Sequence, residues 1–213
     1  MKKLLSILIV ITLIVTCAGC LSTNSDSGKK AVETVENFLN ALSQLDGLAM
    51  KKCISDESVI DSVPFADSGS FSELVLSNFP VELEEYKSNF APVIATMEEK
   101  ITSCMSYEIL GVETNGDSYD VFAEYIIPAN LDMITDRFSK LFSGDNLVIV
   151  LESLLNDGVI TDSTTEEELM PAIVDAIVEQ AITMVDEVEF EAKETQVLYT
   201  VSEFDGKWLI IPD

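Results

Sequence analysis

The sequence contains no histidine. That removes Ser-His-Asp triads, histidine metal ligands and the one side chain that titrates near neutral pH. A cysteine nucleophile would lack its usual activating base. Basic residues are scarce too: Lys and Arg number 12 against 38 Asp and Glu, a net charge of −26. A chain this acidic repels nucleic acid phosphate and anionic lipid headgroups, so no nucleic acid partner is expected. There is no P-loop, no Gly-x-Gly-x-x-Gly and no CxxC beyond the first twenty residues. Asp157-Gly158-Val159-Ile160-Thr161-Asp162 lacks the alternating oxygen ligands of a calcium loop. No cofactor, metal site or catalytic constellation is therefore expected, and no internal repeat is present.

What is there begins with a leader. Lys2 and Lys3 form a short positive region, Leu4 to Val15 is apolar apart from Ser6 and Thr12, and small residues precede Cys20. This is the layout of a signal peptide over residues 1–19. Its ending, Cys17-Ala18-Gly19-Cys20, resembles the lipobox of prokaryotic lipoproteins, with Cys17 standing where Leu is usual. The resemblance implies a diacylglycerol on Cys20, which becomes the new N-terminus. Two other readings compete. An uncleaved helix from Leu4 to Leu21 sits near the lower limit for a bilayer span, about 17–25 residues. A redox pair of Cys17 and Cys20 needs a folded βαβ setting that a hydrophobic leader does not provide. Lipid anchor and bare helix both place the rest of the chain outside the cytoplasm, because the lysines stay inside. The polar run Ser22–Lys30 reads as a tether, so that residues 20–30 join the anchor to a folded domain.

Residues 31–213 suit one α+β domain with a sizeable core. Ala31, Val35, Phe38, Leu39, Leu42 and Leu45 recur at helical spacing and predict a first helix that Asp46-Gly47 ends. A short helix over Leu48–Ile54 follows. Ser70 with Glu73 forms a capping-box signature, and Pro80 and Pro92 divide the next helical region. The period then changes. Tyr107–Glu113, Asn115-Gly116 and Ser118–Ile127 read as a β-hairpin. Three helical segments near 131–142, 146–155 and 165–185 make an insertion at about 129–186. The middle one is apolar nearly all round and is expected to be buried. Pro171 is expected in the first turn of the last. Strand returns over Glu187–Glu203, where apolar residues shift from even to odd positions. A bulge around Lys193–Gln196 would reconcile the two sets. The chain closes with a turn at Asp205-Gly206 and a strand over Lys207–Ile211, with Trp208 expected to be largely buried.

Cys53 and Cys104 lie on apolar stripes. Outside the cytoplasm they form either a disulfide, closing a loop that contains Pro64, Pro80 and Pro92, or two buried thiols.

The first helix, the short helix, the hairpin and the closing Phe204-Asp205-Gly206-Lys207-Trp208-Leu209-Ile210 resemble prokaryotic lipoproteins with a nuclear-transport-factor-2-like domain. The resemblance implies helices laid against a curved antiparallel sheet that forms a cone, with helices inserted between the second and third strands. It implies no activity, because that fold hosts enzymes, binders and scaffolds. A cone-pocket isomerase or hydrolase on this chain would use an Asp base and a tyrosine donor. Tyr107, Tyr119, Tyr125 and Tyr199 are on predicted strands, but no aspartate stands out beside an apolar run. The leading expectation is a non-catalytic, membrane-anchored module that binds a ligand or protein. An accessory subunit of an envelope complex is a further alternative.

Overall fold

The computed structural model describes residues 25–60, 69–77 and 79–212. The signal-like segment and Cys20 lie outside the described residues, as does Pro64.

Helix α1 spans Asp26–Ser43. The Ser25 hydroxyl caps it by accepting the Gly28 N–H at 3.0 Å. Its apolar stripe is the one the spacing predicts: Ala31, Val35, Phe38, Leu39 and Leu42 are all buried. The helix starts five residues earlier than expected, so Asp26–Lys30 form its first turns and not a tether. Asp46 caps the short helix α2, Gly47–Lys51, with its carboxylate on the Ala49 N–H at 2.8 Å. Cys53 follows α2 and does not sit within it.

After a 3₁₀ turn at Glu57–Ile60, Ser70 opens α3, Phe71–Ser77, with its hydroxyl accepting the Glu73 N–H. A second 3₁₀ stretch, Val81–Tyr86, runs into α4, Lys87–Ser103. Pro92 does not divide this region, for it lies inside α4.

The sheet is an open antiparallel meander ordered β1-β2-β3-β4. β1 is Ser106–Asn115, β2 Ser118–Pro128, β3 Ala192–Phe204 and β4 Lys207–Ile211. In the first hairpin Gly116 takes the positive φ, 61°, at the first loop position. In the last, Asp205 and Gly206 both have positive φ, 49° and 80°, as a type I′ turn requires.

The expected bulge is in a different strand. β3 pairs with β2 without interruption from Val201 back to Ala192. Val188 and Phe190 precede the strand, so their even phase has no sheet face to match. The irregularity is in β1, between Ile109 and Gly111. There it moves the helix-facing positions from Ile109 to Val112.

Between β2 and β3 come α5 (Leu131–Lys140), α6 (Gly144–Asn156) and α7 (Glu166–Glu187), which occupy the expected insertion. A capping box of Thr165 and Glu168 starts α7. Pro171 falls inside α7 and not in its first turn.

α1 crosses one face of the sheet and touches all four strands. The short α2 packs on α1, and the remaining helices pack mainly on one another: α7 against α4 and α6, and α3 against α4 and α5. Four phenylalanines knit this second layer. Phe90 has Phe79 at 5.0 Å and Phe142 at 5.3 Å between ring centroids, and Phe138 lies 5.7 Å from Phe142. Edge-on ring pairs of this kind add to the burial of their apolar area.

Trp208 is half-buried, short of the expectation. Its ring packs edge-on with that of Tyr119 at 5.6 Å between centroids, and its Nε1–H is enclosed with no acceptor among the described residues.

Candidate functional site

The tyrosines are brought together by the strand register. Tyr107 lies opposite Tyr125, Tyr119 opposite Val201, and Tyr199 opposite Val121. All four are on the side of the sheet that faces α1. Tyr199 is buried beneath Phe38, with ring centroids 5.5 Å apart. Burial, with the neighbouring Tyr125 hydroxyl, raises the Tyr199 hydroxyl far above its ordinary pKa. Burial also raises Tyr125. The Tyr119 hydroxyl lies 3.4 Å from that of Ser25.

Among the described residues, no carboxylate bonds to any of these four tyrosines, and the buried polar side chain is Thr34. Between α1 and the Tyr107–Tyr125 end of the sheet, Leu39, Leu42 and Met105 line a crevice too narrow to admit water. An acid and a tyrosine facing one apolar cavity, the arrangement a cone-pocket isomerase needs, is not what this register assembles among the described residues.

Cys53 and Cys104 are free thiols in the structure, so the disulfide alternative is not realised there. Each is half-buried and has its own local partner. The Cys53 thiol points to the Ala49 carbonyl at 3.6 Å, and Cys104 lies 3.9 Å from the Ser103 hydroxyl. Burial raises the Cys53 pKa against a smaller lowering by Lys52. That is the opposite of the activation a nucleophilic thiol needs.

A cavity of about 420 Å³ beside β3 and β4 is lined by Tyr199 with Val59, Val197 and Ile210 and, among the described residues, by no carboxylate, and one of about 450 Å³ lies between the end of α1 and α3. Further open space lies in the insertion. A groove of about 560 Å³ runs between α6 and α7, with α5 at one side. Its wall is apolar through Val150, Leu154, Ala176 and Met184. Its rim carries Asp157, Glu179 and Glu187 around Arg137, the chain's single arginine. The Asn146 side-chain amide sets the spacing of the two helices by donating to Gln180 Oε1 at 2.9 Å and to the Leu141 carbonyl at 2.8 Å.

Outside the groove α6 departs from expectation. Only Val150 and Leu154 are buried. Val148, Ile149 and Leu155 on α6 are 53–59% exposed, and Val159 just beyond it is exposed at the groove itself. One neighbouring helix cannot cover a helix that is apolar all round, and α7 is the element that packs closely on α6.

Sequence reasoning singled out neither Arg137 nor this exposed face. The signals that point to them are a lone arginine in an acidic chain and an apolar helix with no second partner. Among the described residues, no cluster of three or more acidic or cysteine side chains is arranged to hold a metal ion. No helix among them is long and apolar enough to cross a membrane.

No family model matches the chain, and no curated protein matches it. Among solved structures it is similar to ycdA, a proposed lipoprotein of Bacillus subtilis. The two share 14% identity at a TM-score of 0.33, over 89% of this chain and 52% of the other. The chain thus spans about half the length of that neighbour.

Proposed function

We propose that this protein is a lipoprotein held at the outer side of a membrane through Cys20, and that its domain binds a partner protein by the helical insertion. The observation that carries the binding half is the uncovered apolar face of α6 beside the α6–α7 groove. Exposed apolar patches mark interaction surfaces, and Val148, Ile149 and Leu155 are the exposed large apolar side chains of α6. An amphipathic helix is the occupant that suits a groove with an apolar wall and a charged rim. What supports binding over catalysis is that, among the described residues, no carboxylate bonds to the strand tyrosines or lines the cavity that Tyr199 faces.

The anchor half rests on the leader: its lysines, its apolar run and the Ala18-Gly19-Cys20 ending. The order of helix, short helix, hairpin, inserted helices and closing hairpin is what supports the resemblance to nuclear-transport-factor-2-like lipoproteins, while the four-stranded sheet is open and not closed into a cone.

Two experiments test the halves separately. A clickable fatty acid fed to producing cells should mark the wild type and miss Cys20→Ala, and equal labelling of both would end the anchor reading. A photo-crosslinking amino acid at position 149 should give a discrete adduct in intact cells. That adduct should vanish when Leu155→Asp is added and be absent from the same probe at position 33 on the exposed side of α1. Equal adducts at 33 and 149, or none at 149, would end the binding reading.

A further inference from the structure

The side of the sheet away from α1 carries a pattern that neither the core nor the insertion uses. The register places Gly111, Phe122 and Leu198 side by side across β1, β2 and β3, with Leu110 at the β1 irregularity next to them. Leu110, Phe122 and Leu198 are 36–45% exposed, so together they form an apolar row perpendicular to the strands. Carboxylates flank the row on both sides. Glu113 opposes Asp120 on one side, and Glu108 opposes Glu124 on the other, with Glu194 one step beyond. Each flanking line is two residues along the strand from the apolar row, about 7 Å away. Lys207, opposite Phe204 at the far hairpin, is the basic residue that the register puts on this face.

The negative charge here is poorly compensated. Like charges directly opposite on a sheet repel, and Glu108 faces Glu124. The Glu194 carboxyl is held above the ordinary range by its hydrogen bond to Glu124 and by the charge on Glu124. The neighbours that do bond to these carboxylates are neutral: Gln196 to Glu124 at 2.8 Å, and Asn115 and Thr200 to Asp120 at 3.0 Å. Such a face does not suit a second copy of the chain, since stacking it on itself would press carboxylates together. It suits a partner of opposite pattern. A helix is about 10 Å across, so one lying along the apolar row reaches both carboxylate lines with side chains on its two flanks.

We propose that this outward sheet face docks a basic amphipathic helix of a partner protein. Its apolar seam lies along Leu110, Phe122 and Leu198, and its flanking Lys or Arg side chains pair with the carboxylates on either side. This surface is separate from the insertion, and the two proposals stand or fall independently.

The test uses the full-length chain in neutral detergent and a synthetic three-heptad helix, Leu at a and d and Lys at e and g, read by fluorescence anisotropy. Salt is held at about 0.15 M so that diffuse attraction to the acidic chain is screened. The probe should bind, and the same peptide with Glu at e and g should not. Glu124→Gln with Glu194→Gln should weaken binding by up to about tenfold, two surface ion pairs being lost. Phe122→Ser should weaken it by about tenfold or more through loss of the apolar contact. Glu33→Gln with Glu36→Gln, which removes the same charge from the exposed side of α1, should change it less than about twofold. Circular dichroism of each variant checks that the fold is retained, and the Glu-to-Gln pair carries the test if Phe122→Ser does not fold. Absence of binding to the Lys peptide overturns the proposal. So does an equal loss from the 33/36 pair, or an unchanged affinity in the folded face variants.

Discussion

Tyr199 makes the sheet–helix layer sensitive to alkali. Its ring is under Phe38 and its hydroxyl is shielded from water, so the folded state favours the neutral form and its pKa is raised. Its contribution to stability is therefore intact below the unfolded value of about pH 10 and is lost as pH climbs from there toward the folded value. Chemical denaturation between pH 8 and 11 should show stability falling above about pH 10, and Tyr199→Phe should flatten that fall. The same slope in both proteins would place the alkaline loss elsewhere. Trp208 poses a different residue-scale question, since its enclosed Nε1–H has no acceptor among the described residues. Replacing the ring by Phe removes an unsatisfied donor along with some contact area, two effects of opposite sign. Trp208→Phe should hold stability within about 1 kcal/mol of wild type, whereas Trp208→Ala should cost about 3 kcal/mol, the low end for a large aromatic because the ring is only half-buried.

At the scale of elements, the joint between α4 and α7 is where a single side chain does most. Lys100 on α4 donates from Nζ to the Val185 carbonyl at 2.6 Å and the Asp186 carbonyl at 3.3 Å, and lies 3.9 Å from the Asp186 carboxylate. These are the last-turn carbonyls of α7, where the helix dipole is negative and no other basic residue is present. Lys100→Met keeps the aliphatic stem and removes the charge, and should lower stability by about 1 kcal/mol in urea titration. No change would mean that water replaces the ammonium without loss. The elements themselves were largely readable. The hairpin loops, the switch of period at Tyr107 and the insertion between β2 and β3 follow from turn residues and local spacing. What escaped depends on neighbours. The apolar shift between Ile109 and Val112 marks the β1 bulge, but the shift near Lys193 looks stronger when the strand is read from Glu187, whereas β3 begins only at Ala192. α6 was expected to be buried because its composition says nothing of how many helices are available to cover it. The same is true of the groove, since nothing local ties Arg137 to Val150 and Met184. The pull of Pro92 toward a helix break was overridden by the burial of Phe90, Val93, Ile94 and Met97 on one continuous helical face.

For the whole molecule the dominant physical fact is charge of one sign. The net charge of −26 is offset locally by few contacts. The ion pairs resolved among the described residues, such as Lys51–Glu57 at 3.2 Å and Lys140–Asp136 at 2.6 Å, have exposed carboxylates, and pairs open to water contribute little. Meanwhile the outward sheet face sets Glu108 against Glu124 and Glu113 against Asp120. Folding gathers these carboxylates into a smaller volume than the unfolded chain occupies, so self-repulsion opposes the native state. Salt relieves it: the screening length falls from about 30 Å at 0.01 M to about 8 Å at 0.15 M. The thermal midpoint of the full-length chain in neutral detergent should therefore rise with sodium chloride over that range, by about 2–4 °C for each kcal/mol of repulsion removed. Glu108→Lys, which puts a positive charge across from Glu124, should raise the midpoint at low salt and shrink its salt dependence. If the midpoint is flat or falls with salt, attractive pairs outweigh repulsion in this fold. The open sheet face would then be no more strained by its carboxylates than the rest of the surface.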